Sequence, residues 1–186
     1  MSHWVFFLEE PSAEDFLRGY LPAFLPPGVK LHFQVFDGKQ DLEKRLELRL
    51  KHWRLPHSRF IVMRDQDSGD CVQIKANLKR LCQQAGHDDA VVRIACRELE
   101  SFFVGDMEAV ANAFDKPGLA KHARSAKFRH PDALGSASDE LRKLLPGYGK
   151  RDGARRIAPQ LSPQRNHSMS FQVLHRTLQR LAEEHP

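Results

Sequence analysis

The sequence predicts an α/β protein built on a parallel sheet. Four times in the first 110 residues, a short apolar run is followed by a longer amphipathic stretch. Each gap between successive runs is long enough for a helix and too long for a hairpin. The third run is continuously apolar, as in strands that are covered by helices on both faces. We therefore expect four parallel strands joined by helices.

The apolar runs predict strands near residues 4–8, 31–36, 60–64 and 90–96. Between them, apolar residues recur at helical spacing over residues 16–24, 42–53 and 72–82. Ser12, with Asp15 three residues later, resembles a capping box and predicts the start of the first helix. Asp70 predicts the N-cap of the third helix.

The alternation of strand and helix stops near Phe114. Residues 115–167 hold Gly, Pro, Ser and basic clusters, with one predicted helix near 139–145. Apolar residues at helical spacing then predict a last helix, with Ser168 and Ser170 at its start. We divide the chain into an α/β core over residues 1–110 and a basic helical and loop extension over 111–186 that packs on it.

Composition excludes several protein classes. The 186 residues are 41% hydrophobic and 28% charged, which is typical of a globular protein and not of a disordered chain or a disulfide scaffold. No apolar run approaches the roughly 18 residues of a membrane span. The three cysteines fit no zinc framework, so we predict a reduced, cytoplasmic protein with no membrane partner. Phosphate-binding P-loops and serine-hydrolase elbows are absent.

The net charge of +5 is unevenly distributed. Residues 1–110 carry 15 basic and 17 acidic side chains, whereas residues 111–186 carry 14 basic and 7 acidic side chains. Four basic residues stand among glycines, in what we predict to be a flexible loop that clamps nucleic acid: Lys150, Arg151, Arg155 and Arg156. The alternative is a solvated surface whose charges contact only water.

Acidic residues follow three of the predicted strands at the points where they end. These are Glu9 and Glu10, Asp65 and Asp67, and Glu98 and Glu100. Neighbouring strands lie about 4.8 Å apart, so carboxylates at several strand ends can meet in one coordination sphere. Carboxylates this close repel one another unless a cation neutralises them. Oxygen ligands favour Mg²⁺ or Mn²⁺ over Zn²⁺.

Each acidic pair also has a structural interpretation. Glu9 and Glu10 can be a polar loop start, and the acids at 65 and 67 can belong to a loop or cap the following helix. Glu98 and Glu100 share a side in an extended segment but diverge by about 200° in a helix. The coincidence of three acidic pairs at three strand ends favours the metal site.

These residues resemble the Toprim domain of topoisomerases, primases and OLD-type nucleases. A Glu after the first strand and an Asp-x-Asp after the third carry that likeness. More closely, the chain resembles an uncharacterised bacterial family with a Toprim-like fold. The matching stretches are residues 9–12, 38–42, 65–67, 93–100, 105–106, 147–150 and 168–171.

The resemblance implies a four-stranded Toprim-like sheet and a magnesium-dependent centre. In it, Glu9 is the general acid and base, and Asp65 and Asp67 hold the metal. Glu98 and Glu100 correspond to the acidic pair with which nuclease members hold a second ion. Most Toprim domains have Gly after the first Glu, but this chain has Glu10, so Glu9 and Glu10 can exchange roles. Members of the family are often linked to a partner ATPase and to defence against foreign DNA.

We therefore predict a Mg²⁺- or Mn²⁺-dependent nuclease that cleaves DNA or RNA, as the nuclease component of a two-component anti-phage system. The alternative is a non-catalytic nucleic-acid-binding or regulatory subunit of an ATPase complex. A haloacid-dehalogenase-like phosphatase fits less well. That chemistry places Asp-x-Asp after the first strand with Thr or Val two residues later, whereas here the pair follows the third strand and residue 69 is Gly.

Overall fold

The four predicted strands form one parallel sheet in the computed structural model, which describes residues 2–184. The strands are β1 (Ser2–Leu8), β2 (Val29–Val35), β3 (Ser58–Asp65) and β4 (Val91–Ala95). Their order in the sheet is β2-β1-β3-β4, and every neighbouring pair is parallel. The predicted α/β class is confirmed, and the sheet is compatible with a Toprim-like fold.

Eight α-helices surround the sheet in the described part of the chain. They are α1 (Pro11–Tyr20), α2 (Lys39–Lys51), α3 (Cys71–Gln84), α4 (Glu100–Val104), α5 (Met107–Ala113), α6 (Ala137–Leu144), α7 (Lys150–Ile157) and α8 (Met169–Glu183). Short 3₁₀ turns occupy much of the remaining chain, including Pro117–Arg124, Ala126–Phe128 and Pro131–Ala133. Among residues 2–184, no helix is long and apolar enough to cross a membrane.

Each face of the sheet has its own apolar core, because successive side chains of a strand point to opposite faces. Val5 and Phe7 of β1 pack with the leucines of α2 and with α3. Trp4, Phe6 and Leu8 pack instead with α1 and with helices α4 to α8. The C-terminal residues therefore share one core with α1, whereas the opposite face is covered by α2 and α3.

The helix starts confirm two predictions and correct one. Asp70 caps α3 by accepting from Gln73 N–H at 2.8 Å, and Ser168 caps α8 by accepting from Phe171 N–H at 3.1 Å. The predicted Ser12 cap is wrong, because α1 begins at Pro11, which needs no N–H partner at a first turn. The Ser12 hydroxyl donates instead to the Glu10 carboxylate.

A second correction concerns the predicted flexible basic loop. Residues 150–157 form helix α7, in which Gly153 and Ala154 are buried. The glycines that suggested a loop serve another purpose, since a Cβ at Gly153 would collide with the ring of Tyr148. The small residue lets the helix pack closely against that ring.

Candidate metal centre

The acidic residues meet where the strand order reverses. From β1 the chain passes to β2 on one side, and from β2 it crosses back to β3 on the other side. Ligands of open parallel sheets bind at such a switch point, beyond the carboxyl ends of the strands. Glu9 and Glu10 follow β1, and Asp65 is the last residue of β3. Because β1 and β3 are parallel neighbours, the sheet brings these carboxylates to one crevice.

Three carboxylates form the centre of the site, which we call the acidic triad: Glu10, Asp65 and Glu100. One oxygen of each lies within 4.8 Å of the others. Glu100 is the first residue of α4 and is 0% exposed, and Asp65 is 9% exposed. Burial raises the pKa of Asp65 well above its ordinary value, and the charges of Glu10, Glu100 and Glu9 raise it further.

Glu100 is the least satisfied member of the triad. Neither of its carboxylate oxygens has a hydrogen-bond partner among residues 2–184, although both are buried. Burial raises the pKa of Glu100 to about 7. A buried carboxylate without hydrogen bonds is costly, and such a group in a native protein calls for an explanation such as an ion.

Lys150 supplies the positive charge closest to the triad. Its Nζ lies 3.5 Å from Glu10 Oε2 and 3.6 Å from Glu100 Oε2. Burial lowers the pKa of Lys150, but the charges of Glu100, Glu10, Asp65 and Glu98 outweigh burial and raise it. The lysine thus stays protonated beside the triad and partly neutralises it.

Glu9 lies beside the triad and is held by the backbone of the next strand. Its Oε2 accepts from the N–H of Asp65 at 3.0 Å, and Arg64 Nε stands 3.9 Å from the same oxygen. Burial raises the pKa of Glu9, and the hydrogen bond and the arginine only partly oppose this. Glu9 is therefore held in one orientation beside the triad, with a raised pKa.

Asp67 lies outside the triad. Its carboxylate pairs with Lys39 Nζ at 2.6 Å and is 40% exposed. The strand ends at Asp65, and Asp67 has a left-handed φ of 54°, so the two aspartates do not share a strand face.

Glu98 also has partners of its own. It accepts from Ser138 N–H at 2.8 Å, from Ser138 Oγ at 2.9 Å and from Ser136 Oγ at 3.1 Å. These groups stand at the start of α6, where a carboxylate satisfies the free N–H groups of a helix. Glu98 and Glu100 diverge, as expected where a helix begins between them.

The three predicted nucleic-acid-binding arginines of α7 all have protein partners. Arg151 Nε donates to Asp15 Oδ2 at 2.6 Å, and Arg155 Nε donates to Asp15 Oδ1 at 3.0 Å. Arg156 donates to the carbonyl oxygen of Ala113 at 2.8 Å. Together, Arg151 and Arg155 bind α7 to α1.

Tyr148 is a site neighbour that the sequence analysis did not single out. It is 8% exposed, its hydroxyl has no hydrogen-bond partner among residues 2–184, and the charges of Glu100 and Glu98 add to burial in raising its pKa. The sequence signal for Tyr148 is the glycine five residues later, because a Cβ at Gly153 would collide with the Tyr148 ring.

Comparison with protein families gives one match. The family described as a domain of unknown function, DUF4276, matches residues 8–179, which include every residue of the acidic triad and helix α7. Comparisons with curated proteins and with solved structures found no match. The chain belongs to the DUF4276 family.

Proposed function

We propose that the protein is a metal-dependent phosphodiesterase that cleaves nucleic acid, a nuclease of the Toprim type. The observation that carries the proposal is the buried carboxylate of Glu100, which has no hydrogen-bond partner among residues 2–184 and faces Glu10 and Asp65 within 4.8 Å. This arrangement stands at the switch point of a parallel sheet, where such folds bind ligands.

The residues of the triad fit a hard divalent cation. All three donors are carboxylate oxygens, which Mg²⁺ and Mn²⁺ prefer, and the Glu100 oxygens accept no hydrogen bond from residues 2–184. When bound, such a cation lowers the pKa of a water and stabilises negative charge on a phosphate oxygen. Glu10, Asp65 and Glu100 would hold it.

The neighbouring side chains have their own roles in this proposal. Glu9, fixed by the N–H of Asp65 and with a raised pKa, accepts and returns a proton at its carboxylate. Lys150 pairs with a non-bridging oxygen of the scissile phosphate and so orients it. A second ion stays a prediction: of its expected ligands, Glu98 and Glu100, Glu98 accepts hydrogen bonds from the start of α6. Asp67, an expected ligand of the first ion, pairs with Lys39.

The proposal also covers the substrate, the partner and the cellular location. The Toprim resemblance supports a nucleic-acid substrate, a partner ATPase and a role in defence against foreign DNA. The cysteine usage supports a cytoplasmic location.

The test is Mn²⁺ binding measured by calorimetry, followed by cleavage of a small phosphodiester, bis(p-nitrophenyl) phosphate. We expect wild-type protein to bind Mn²⁺ and hydrolyse the diester. Asp65→Asn removes one ligand charge and should weaken binding by about tenfold or more, since even partners of metal ligands contribute that much. The matched control is Asp89→Asn, because Asp89 is exposed and lies outside the triad. This variant should behave as wild type.

One observation favours a second candidate, a non-catalytic binding or regulatory subunit. Lys150 Nζ lies within 3.6 Å of two carboxylates of the triad, and its charge itself neutralises part of the triad. That candidate predicts a wild-type protein that neither binds Mn²⁺ at the triad nor hydrolyses the diester, and this result would overturn the nuclease proposal.

A further inference from the structure

We propose that residues 116–130, which we call the basic segment, bind the phosphate backbone of a nucleic acid. The inference rests on the proposed function, from which it takes the class of substrate. The surface differs from the four basic residues of 150–156 that the sequence predicts as the nucleic-acid clamp. The segment contains five basic residues and no acidic residue, and His122 and His130 lie within it.

Most of the basic side chains in this segment have no partner. Lys116, Lys121, Arg124 and Arg129 are exposed, and none forms an ion pair or side-chain hydrogen bond with residues 2–184. Lys127 alone pairs with a carboxylate, that of Glu140. The arginines of α7, by contrast, are bound to Asp15 and to a backbone carbonyl. The cations available to an external anion are therefore in the basic segment.

The backbone that carries these charges is held in place. Two 3₁₀ turns, Pro117–Arg124 and Ala126–Phe128, shape the segment, and Leu119 N–H donates to Lys116 O at 2.9 Å. Phe128 is 3% exposed and stacks edge-on against His122. Like charges on a fixed scaffold repel one another and add no stability of their own. An anion that neutralises them would bind without a large cost of ordering the chain.

The segment lies on the same side of the sheet as the acidic triad. Phe128 belongs to the core that α1 and α4 to α8 share. Lys127 pairs with Glu140 of α6, and the start of α6 holds Glu98, two residues before Glu100. Helix α6 thus contacts the basic segment through Glu140 and the chain beside the triad through Ser138.

The surface chemistry favours a nucleic acid over an acidic protein. Protein interfaces need a buried core of aromatic or apolar anchors. Phe128 is buried, and none of the exposed large apolar side chains of residues 2–184 lies in the basic segment. Long basic side chains without apolar anchors match a phosphate backbone, which is read by charge and not by base sequence.

The experiment compares two triple variants that remove the same charge. The test variant is Lys116→Ala, Lys121→Ala and Arg124→Ala. The control variant is Lys44→Ala, Lys79→Ala and Arg49→Ala, which removes exposed, unpaired cations from α2 and α3 on the opposite face. Binding to a short DNA duplex and to a single strand is measured with metal chelated, over a series of salt concentrations.

We expect the test variant to bind duplex DNA more weakly and with a flatter salt dependence. The slope of log K against log salt should fall in magnitude by about 2.7, from about 0.9 for each lost phosphate contact. The control variant should keep the wild-type slope. Equal losses in the two variants, or no binding by wild-type protein, would overturn the inference. These outcomes do not bear on the nuclease proposal, because hydrolysis of bis(p-nitrophenyl) phosphate does not require a surface that binds a polymer.

Discussion

Two glutamates of the same segment have opposite environments. Glu98 accepts three hydrogen bonds from the start of α6, whereas Glu100 has none among residues 2–184 and faces the triad. The sequence predicts both as ligands because both follow the fourth strand. The sequence does not predict which of the two accepts hydrogen bonds from the protein, because the donors, Ser136 and Ser138, lie some forty residues away along the chain.

Asp15 shows the same dependence on distant residues. Burial raises its pKa, but hydrogen bonds and charges from Arg151 and Arg155 outweigh burial and lower it. Because the carboxylate joins α1 to α7, we expect Asp15→Asn to lower the free energy of unfolding by about 1–2 kcal/mol at neutral pH. Asp152→Asn, on the exposed side of α7, is the control and should change it by less than about 0.5 kcal/mol.

The contribution of Asp15 should depend on pH. A carboxylate whose pKa is lower in the folded state stabilises the fold above its ordinary pKa of 3.8 and loses that effect as the pH falls through the folded value. The difference between wild type and Asp15→Asn in urea unfolding should therefore shrink below about pH 4. A difference that stays constant down to lower pH would show that Asp15 acts by packing and not by charge.

At the scale of elements, the strands were the most predictable part. Each observed strand begins and ends within two residues of its predicted range. In β1 and β3 most residues are buried, and strands covered on both faces leave a continuous apolar run in the sequence. The start of α1 was less predictable, since Pro11 displaced Ser12 as the first helical signal. Helix α7 was missed because its glycine suggests a loop, and the need for that glycine lies in tertiary packing.

Helix α7 gives a direct test of this packing. In an ordinary helix, Gly→Ala stabilises by about 1 kcal/mol. We expect the opposite for Gly153→Ala, a loss of about 1–3 kcal/mol, because the new methyl group collides with the Tyr148 ring. Thermal unfolding monitors the change. Gly135→Ala, where nothing lies within 4 Å of the added carbon, is the control, and an unchanged or raised Tm for Gly153→Ala would contradict the proposed contact.

At the scale of the whole molecule, the site is assembled from both ends of the chain. The N-terminal strands supply Glu9, Glu10 and Asp65, and α7 supplies Lys150. The strand-end carboxylates were predictable, because parallel strands bring their carboxyl ends to one edge. The approach of Lys150 was not, because it depends on how α7 packs against α1. The division into a core and an extension stays a prediction, although both parts contribute to one apolar core.

The most direct test of the metal centre is crystallography of protein soaked in Mn²⁺, with anomalous diffraction to locate the ion. We predict an anomalous peak among the carboxylates of Glu10, Asp65 and Glu100, and a displacement of Lys150 Nζ from its position beside Glu10 and Glu100. Wild-type crystals with no peak at the triad, and with Lys150 still paired to both glutamates, would show that the triad is not a metal site.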